Sequence, residues 1–264
     1  MRKVILLALV GAPFVGVAGA QQQLTVVSAA GPTVGVAADS LASVFGPAIS
    51  TQTASAPSPP WPTMLGDIPA VNIEDSAGTS RTAGILFISA SQMNIYIPAG
   101  VASGPATVSF PVTGLPPGVG AAALRRVNVD IQRTAPGLFS AAGTGKGVAA
   151  ATAVRIAIPT TKQSAVPVFQ CDQSANCIAL PIALGVDNPI YVSLYGTGIR
   201  GANSVVVNIG NSAVQPSYAG PQGQYPGLDQ INFPLSLDLR GSGLVNVTVT
   251  ADGVMSNAVQ LDIQ

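Results

Sequence analysis

What most restricts this chain is that it says the same thing twice. Val71-Asn72-Ile73 returns as Val207-Asn208-Ile209, and Gln92-Met93-Asn94-Ile95 returns as Gln230-Ile231-Asn232-Phe233. Val127-Asn128-Val129-Asp130-Ile131-Gln132 returns as Val259-Gln260-Leu261-Asp262-Ile263-Gln264. The pairs keep their order and lie 136, 138 and 132 residues apart. Two copies of one module look like this when only their loops have changed length. Two tandem domains follow, over residues 21–133 and 134–264, with the seam near Arg133-Thr134-Ala135-Pro136-Gly137. So short a linker restricts how the two can be oriented.

The periodicity inside each copy is that of strands. Val127, Val129 and Ile131 alternate with Asn128, Asp130 and Gln132, and Val245, Val247 and Val249 alternate with Asn246, Thr248 and Thr250. Such stretches carry one apolar and one polar face. Further strands are predicted over 24–28, 40–45, 70–73, 85–89, 93–97 and 106–111, and then over 148–158, 190–194, 204–209, 214–218, 230–233, 244–250 and 258–263. Glycine and proline clusters punctuate them at sandwich-like intervals. The fold class predicted is all-β, two tandem immunoglobulin-like β-sandwiches behind a cleaved signal peptide. A Pro-rich insertion at 50–65, containing Ala56-Pro57-Ser58-Pro59-Pro60-Trp61-Pro62, must be largely extended, because proline blocks helix and central-strand pairing.

The signal peptide is residues 1–20. Arg2 and Lys3 precede an apolar run, and Ala18-Gly19-Ala20 supplies small residues for cleavage. Gly11, Pro13 and Gly16 interrupt a run already shorter than the roughly 20 apolar residues of a membrane span. Cleavage leaves a formal charge of about −2, with no basic field to attract nucleic acid or anionic lipid. The expected location is the exterior or the cell surface, with the periplasm as the alternative. Charged residues make up only 8% of the chain, so charge gives little protection against edge-to-edge strand pairing, and the 22 prolines help to supply it.

Cys171 and Cys177 are the only cysteines, and in an exported chain a disulfide closing that small polar loop is the default. A metal site would need further soft or imidazole ligands, and there is no histidine and no third cysteine. The missing imidazole also excludes Ser-His-Asp and Cys-His catalysis. Lys146 and Lys162, the mature lysines, sit in no Ser-x-x-Lys spacing. Glu74 is the sole glutamate, and Glu74-Asp75-Ser76-Ala77-Gly78 reads as a polar hairpin tip in preference to a glycosidase pair. Gly143-Thr144-Gly145-Lys146-Gly147 lacks the hydroxyl residue of a phosphate loop and reads as a turn. Asp229, Asp238 and Asp252 are too scattered for a calcium loop. No cofactor is called for.

Four further segments carry a resemblance. Pro136-Gly137-Leu138-Phe139, Leu194-Tyr195-Gly196-Thr197-Gly198-Ile199-Arg200-Gly201, the block Tyr218 to Asn232 and Ser256-Asn257-Ala258-Val259 are similar to the hallmark segments of the Solibacter uncharacterised C-terminal domain family. The likeness runs from about Val36 to the last residue. It implies an exported bacterial β-rich module that commonly ends a longer chain, behind repeats, propellers or enzyme domains. This chain departs from that pattern in having little ahead of the module. No activity is established for the family, so the likeness transfers no catalytic residue.

The repeated Gln-x-Asn pairs admit two readings. Gln92 and Asn94 share a strand face, as do Gln230 and Asn232, and their amides can satisfy the backbone of an adjacent turn. The rival is a sugar-binding surface on which Trp61, Tyr96, Tyr218 and Tyr225 stack. The function expected is an exported non-catalytic interaction module for surface adhesion, attachment or assembly, its partner a surface protein or polysaccharide. A carbohydrate-binding module is the alternative, and a hydrolase using an Asp/Glu pair, at the domain junction for instance, is third.

Overall fold

The computed structural model describes residues 23–31, 35–111 and 124–264; the predicted signal segment, residues 1–20, lies outside them. Strand alternation sets the architecture directly. Along Gln92–Ile97 the side chains of Met93, Ile95 and Ile97 are fully buried, while Gln92, Asn94 and Tyr96 face the other way. Val259–Ile263 repeats the pattern with Val259, Leu261 and Ile263 inward.

The first half contains β1 (Thr25–Ser28), β2 (Val36–Ala37), β3 (Ser40–Phe45), β4 (Ala54–Ser55), β5 (Asn72–Glu74), β6 (Ser80–Thr82), β7 (Gly84–Ile88), β8 (Gln92–Ile97), β9 (Gly104–Pro111) and β10 (Leu124–Gln132). One sheet runs β1-β3-β8-β7-β4 and the other β2-β10-β9-β5-β6.

The second half contains β11 (Gly137–Leu138), β12 (Ala151–Ala157), β13 (Lys162–Val166), β14 (Phe169–Cys171), β15 (Cys177–Ala179), β16 (Pro181–Ile182), β17 (Ile190–Thr197), β18 (Val205–Ile209), β19 (Ser212–Val214), β20 (Tyr218–Pro221), β21 (Asp229–Pro234), β22 (Gly243–Ala251), β23 (Val254–Met255) and β24 (Val259–Ile263). Its sheets run β13-β12-β17-β21-β20 and β16-β24-β22-β18-β19; β11 is added on β17, β23 on β22, and β14–β15 form a separate ribbon.

The repeated segments occupy matching ladder positions. Ser43 faces Asn94 and Ser193 faces Asn232. Ile73 faces Val108, which faces Val127; Ile209 faces Val247, which faces Val259. Ile131 pairs in parallel with Val36, and Ile263 in parallel with Ile182. A one-residue slip would turn every apolar side chain outward, so the repeated alternation enforces one register in both halves.

Each half has its own apolar cluster fed by both of its sheets. Val44, Met93 and Ile95 meet Ile73, Val108 and Phe110 in the first; Val192, Ile231 and Phe233 meet Val207, Val249 and Leu261 in the second. Burial of each such side chain contributes about 1.5–3 kcal/mol.

Two expectations need correction, and the packing of a third stretch is now defined. The strand predicted over 148–158 stops at Ala157, and the chain turns back as β13. The strand predicted over 214–218 is two strands in different sheets, β19 and β20, split around Pro216, which has no N–H to give a ladder. The 50–65 stretch packs down: β4 pairs with β7, and Ile85 N–H donates to Pro62 O at 2.7 Å. No α-helix occurs among the described residues, and no helix there is long and apolar enough to cross a membrane. One 3-10 turn among the described residues, Leu237–Leu239, is capped by Ser236.

Candidate functional site

One group of charged and aromatic side chains gathers where the two halves meet. The seam leads into this junction, with Ala135 N–H donating to Gly198 O at 2.9 Å. At one end of it, Gly145 lies so close to the first half that a Cβ would come within 2.7 Å of Ala30 O. Asn257 pins that loop, accepting from Leu138 N–H at 2.7 Å and donating to Leu138 O at 2.9 Å and Gly145 O at 2.8 Å.

At the other end Arg200 bridges the halves. Its Nε donates to Asp229 Oδ1 at 2.6 Å, its Nη2 to Leu228 O at 2.7 Å, and its Nη1 meets Asp39 Oδ1 at 2.9 Å. Asp229 also accepts from the Ile199 N–H at 2.7 Å and from the Arg200 N–H at 3.3 Å. Tyr96 donates to Asp39 at 2.7 Å, and Thr197 Oγ1 accepts from Leu41 N–H at 2.8 Å while donating to Gly227 O at 2.7 Å. Trp61 donates through Nε1 to Pro226 O at 3.0 Å and stacks on Tyr225, with centroids 6.2 Å apart and planes inclined by 22°.

Burial dominates the electrostatics. It pushes the Asp229 carboxyl above its ordinary value, against the pull of Arg200 and the two N–H groups. Burial also works against the Arg200 cation, but Asp229 and Asp39 more than offset it and raise that group further. Burial, reinforced by the bond to Asp39, carries the Tyr96 phenol up to about 12. Neither the phenol nor the guanidinium exchanges a proton near neutral pH, so these two groups hold charge in place.

Trp61, Tyr96 and Tyr225 are therefore brought together, but not as a coplanar row: Trp61 and Tyr225 face one another and the Tyr96 hydroxyl is tied down. Tyr218 is exposed on β20, its hydroxyl donating to Pro221 O. The Gln-x-Asn amides bond sideways to each other, contrary to the expectation that they serve a turn backbone. Gln92 Nε2 donates to Asn94 Oδ1 at 2.8 Å, and Gln230 Nε2 donates to Asn232 Oδ1 at the same distance. Ser43 Oγ also donates to Asn94 Oδ1.

Cys171 and Cys177 form a disulfide across the β14–β15 ribbon. The 143–147 turn is organised on Ser140 Oγ, which accepts from the N–H groups of Thr144 and Gly145 at 3.0 Å each. The 74–78 segment is indeed a hairpin tip, but Asp75 is its buried anchor, accepting from the N–H groups of Ala77, Thr79 and Ala102 and bridging Arg81 at 2.7 Å. Among the described residues no three His, Cys, Asp or Glu side chains gather to hold a metal.

Sequence reasoning passed over Asp39, named Thr197 and Arg200 only within a hallmark segment, and took Asp229 for a scattered carboxylate. The available signal was the repeat itself: the residue before the second Gln-x-Asn is Asp229, where the first copy has Ser91. Comparison with protein-family models finds no match, and a search of curated proteins finds none. The four segments singled out in the sequence meet in two pairs, one at each end of the junction. Leu194–Gly201 and Tyr218–Asn232 meet through Arg200 and Asp229, while Pro136–Phe139 and Ser256–Val259 meet through Leu138 and Asn257.

Proposed function

We propose that the chain is an exported, non-catalytic interaction module, two tandem immunoglobulin-like β-sandwiches serving surface adhesion, attachment or assembly, and of the family its hallmark segments resemble. The matched sheet orders and separate apolar clusters support the tandem architecture. The disulfide suits an oxidising, extracellular compartment. The observation that carries the reading is how the junction uses its ionic groups. Asp229 has no exposed surface and Arg200 is saturated by two carboxylates and a carbonyl, so both serve cohesion between the halves. The near-zero formal charge of the chain suits a surface protein or polysaccharide better than nucleic acid.

The test is binding of the purified mature chain to cell-surface polymers and envelope fractions, with parallel assays for glycan and ester turnover. Saturable binding without turnover is expected. Turnover abolished by Asp39→Asn would overturn the reading and favour a hydrolase.

One observation favours a carbohydrate-binding module as the second reading. Tyr225 is 45% exposed at the rim of a shallow groove that also contains Asp39, Pro60 and Gln224. A glycan array on the wild type and on Tyr225→Ala separates the two, since only sugar recognition is lost with the ring.

A further inference from the structure

Strand β13 extends its sheet beyond β12, the position at which the corresponding sheet of the first half ends with β1. Lys162, Gln163, Ser164 and Ala165 are exposed and Val166 is half-buried, so both faces of this strand are open. The hydrogen-bond pattern tells which peptide groups are free. Ile156 N–H donates to Pro189 O and Ile158 N–H to Asp187 O, on the side away from β13. The even-numbered residues of β12 thus turn their peptide groups away from β13 and the odd-numbered ones toward it. Arg155 lies opposite Ser164, and Ala157 opposite Lys162. Lys162, Ser164 and Val166 therefore bond to β12, and the N–H and C=O groups of Gln163 and Ala165 point outward. Those groups have no partner among the described residues. Pro159 and Pro167 lie outside the strand and remove no N–H from its outward edge.

We propose that β13 pairs antiparallel with β13 of a second copy of this chain, about a two-fold axis through Ser164, joining the two sheets edge to edge. In that register Gln163 lies opposite Ala165 of the second copy on either side of the axis, and each such pair exchanges both peptide hydrogen bonds. Ser164 meets its own counterpart at a non-hydrogen-bonded position, where side chains approach most closely and two hydroxyls can bond. Charge does not oppose a second copy in this register. Lys162 is the only ionic residue on the strand, and the axis at Ser164 sets it opposite Val166, so no like charges meet. The self-complementary strand generates a closed isologous pair. This inference is independent of the surface-binding reading, because pairing can be present where surface binding is absent.

The experiment is sedimentation velocity on the mature chain over a wide concentration range, with three variants. The wild type is expected to shift from monomer to dimer as concentration rises. Ala165→Pro removes an outward N–H that β12 does not use, and Ser164→Lys puts two ammonium groups on the axis; both are expected to stay monomeric with unchanged circular dichroism. Ser164→Cys is expected to give a covalent dimer on oxidation, with the 164–164 linkage found by peptide mapping. Should Ala165→Pro fail to fold, Ser164→Lys decides. A wild type that is monomeric throughout, or a dimer that persists in the Ser164→Lys variant, overturns the proposal.

Discussion

Arg200 and Asp229 are joined at 2.6 Å inside the junction, and the same guanidinium reaches Asp39 of the other half at 2.9 Å. Removing one partner of a buried pair leaves an uncompensated charge. Asp229→Ala is expected to destabilise the chain by about 3–5 kcal/mol in urea unfolding. Asp39 is partly solvated, with its side chain 31% exposed, so Asp39→Asn should cost at most about 1 kcal/mol. Arg200→Lys should not restore the wild-type value, because an ammonium cannot reproduce the planar fork that holds Asp229, Leu228 and Asp39.

Close approach makes glycine necessary at both ends of the junction. Gly227 has φ +86°, and a Cβ there would come within 2.8 Å of Leu41 Cγ; Gly145 has φ +72° and faces Ala30 O. Gly227→Ala and Gly145→Ala are each expected to raise hydrogen exchange at Leu41 or at Ala30–Gly31 while leaving the core strands β8 and β21 protected. Loss of protection throughout both halves would contradict the local nature of these contacts.

The shared register of the repeated segments was legible because it is written in alternation: the pairs at 73 and 209, 94 and 232, and 127 and 259 occupy equivalent ladder positions. What stayed hidden has no short-range signal. β13 is polar and follows a turn, 158–161, that closes an apparent apolar run, Val148–Ile158. Arg200 and Asp39 are 161 positions apart and come together only through the packing of the two halves. Trp61 was legible as an unusual residue, but its partner, the Pro226 carbonyl, belongs to a loop that no local pattern connects to it.

Acid should destabilise the chain from a definite pH downward. The Ala102 N–H, with those of Thr79 and Ala77 and with Arg81, holds Asp75 below its ordinary value. Asn176 does so for Asp172, and the N–H groups of Asn203 and Ser204 for Asp252. Burial pushes Asp67 upward, but bonds from Ser50 and Thr51 carry it below the ordinary value. A carboxyl more acidic in the folded chain contributes its stability above the unfolded value, 3.8, and loses it as pH falls through the folded one. Asp229 is raised and has the opposite sign, relieving part of the loss. With no histidine in the chain, Tm is expected to be level between about pH 5 and 8 and to fall below about pH 4. Asp75→Asn should flatten that fall, and a melting series against pH checks it.

The Cys171–Cys177 bond closes a small exposed ribbon whose turn Asp172 already organises by accepting from the N–H groups of Ser174 and Asn176. A loop this short contributes at most about 2 kcal/mol, and largely to its own order. The double Cys→Ser variant is expected to keep the global Tm within a few degrees, since about 1 kcal/mol shifts Tm by only roughly 2–4 °C at this chain length. It should nonetheless become sensitive to proteolysis within residues 172–176.

Trp61 is the only tryptophan in the chain, and it sits on the junction between Tyr225 and the Pro226 carbonyl. Denaturant unfolding followed at once by its fluorescence and by far-ultraviolet circular dichroism therefore reads the junction against the sheets. In the wild type the two transitions should coincide; in Arg200→Met the fluorescence should change at clearly lower denaturant than the dichroism, as the halves part before either unfolds. A Trp61 transition in Arg200→Met that still coincides with the dichroism, at the wild-type midpoint, would contradict a junction held by this arginine.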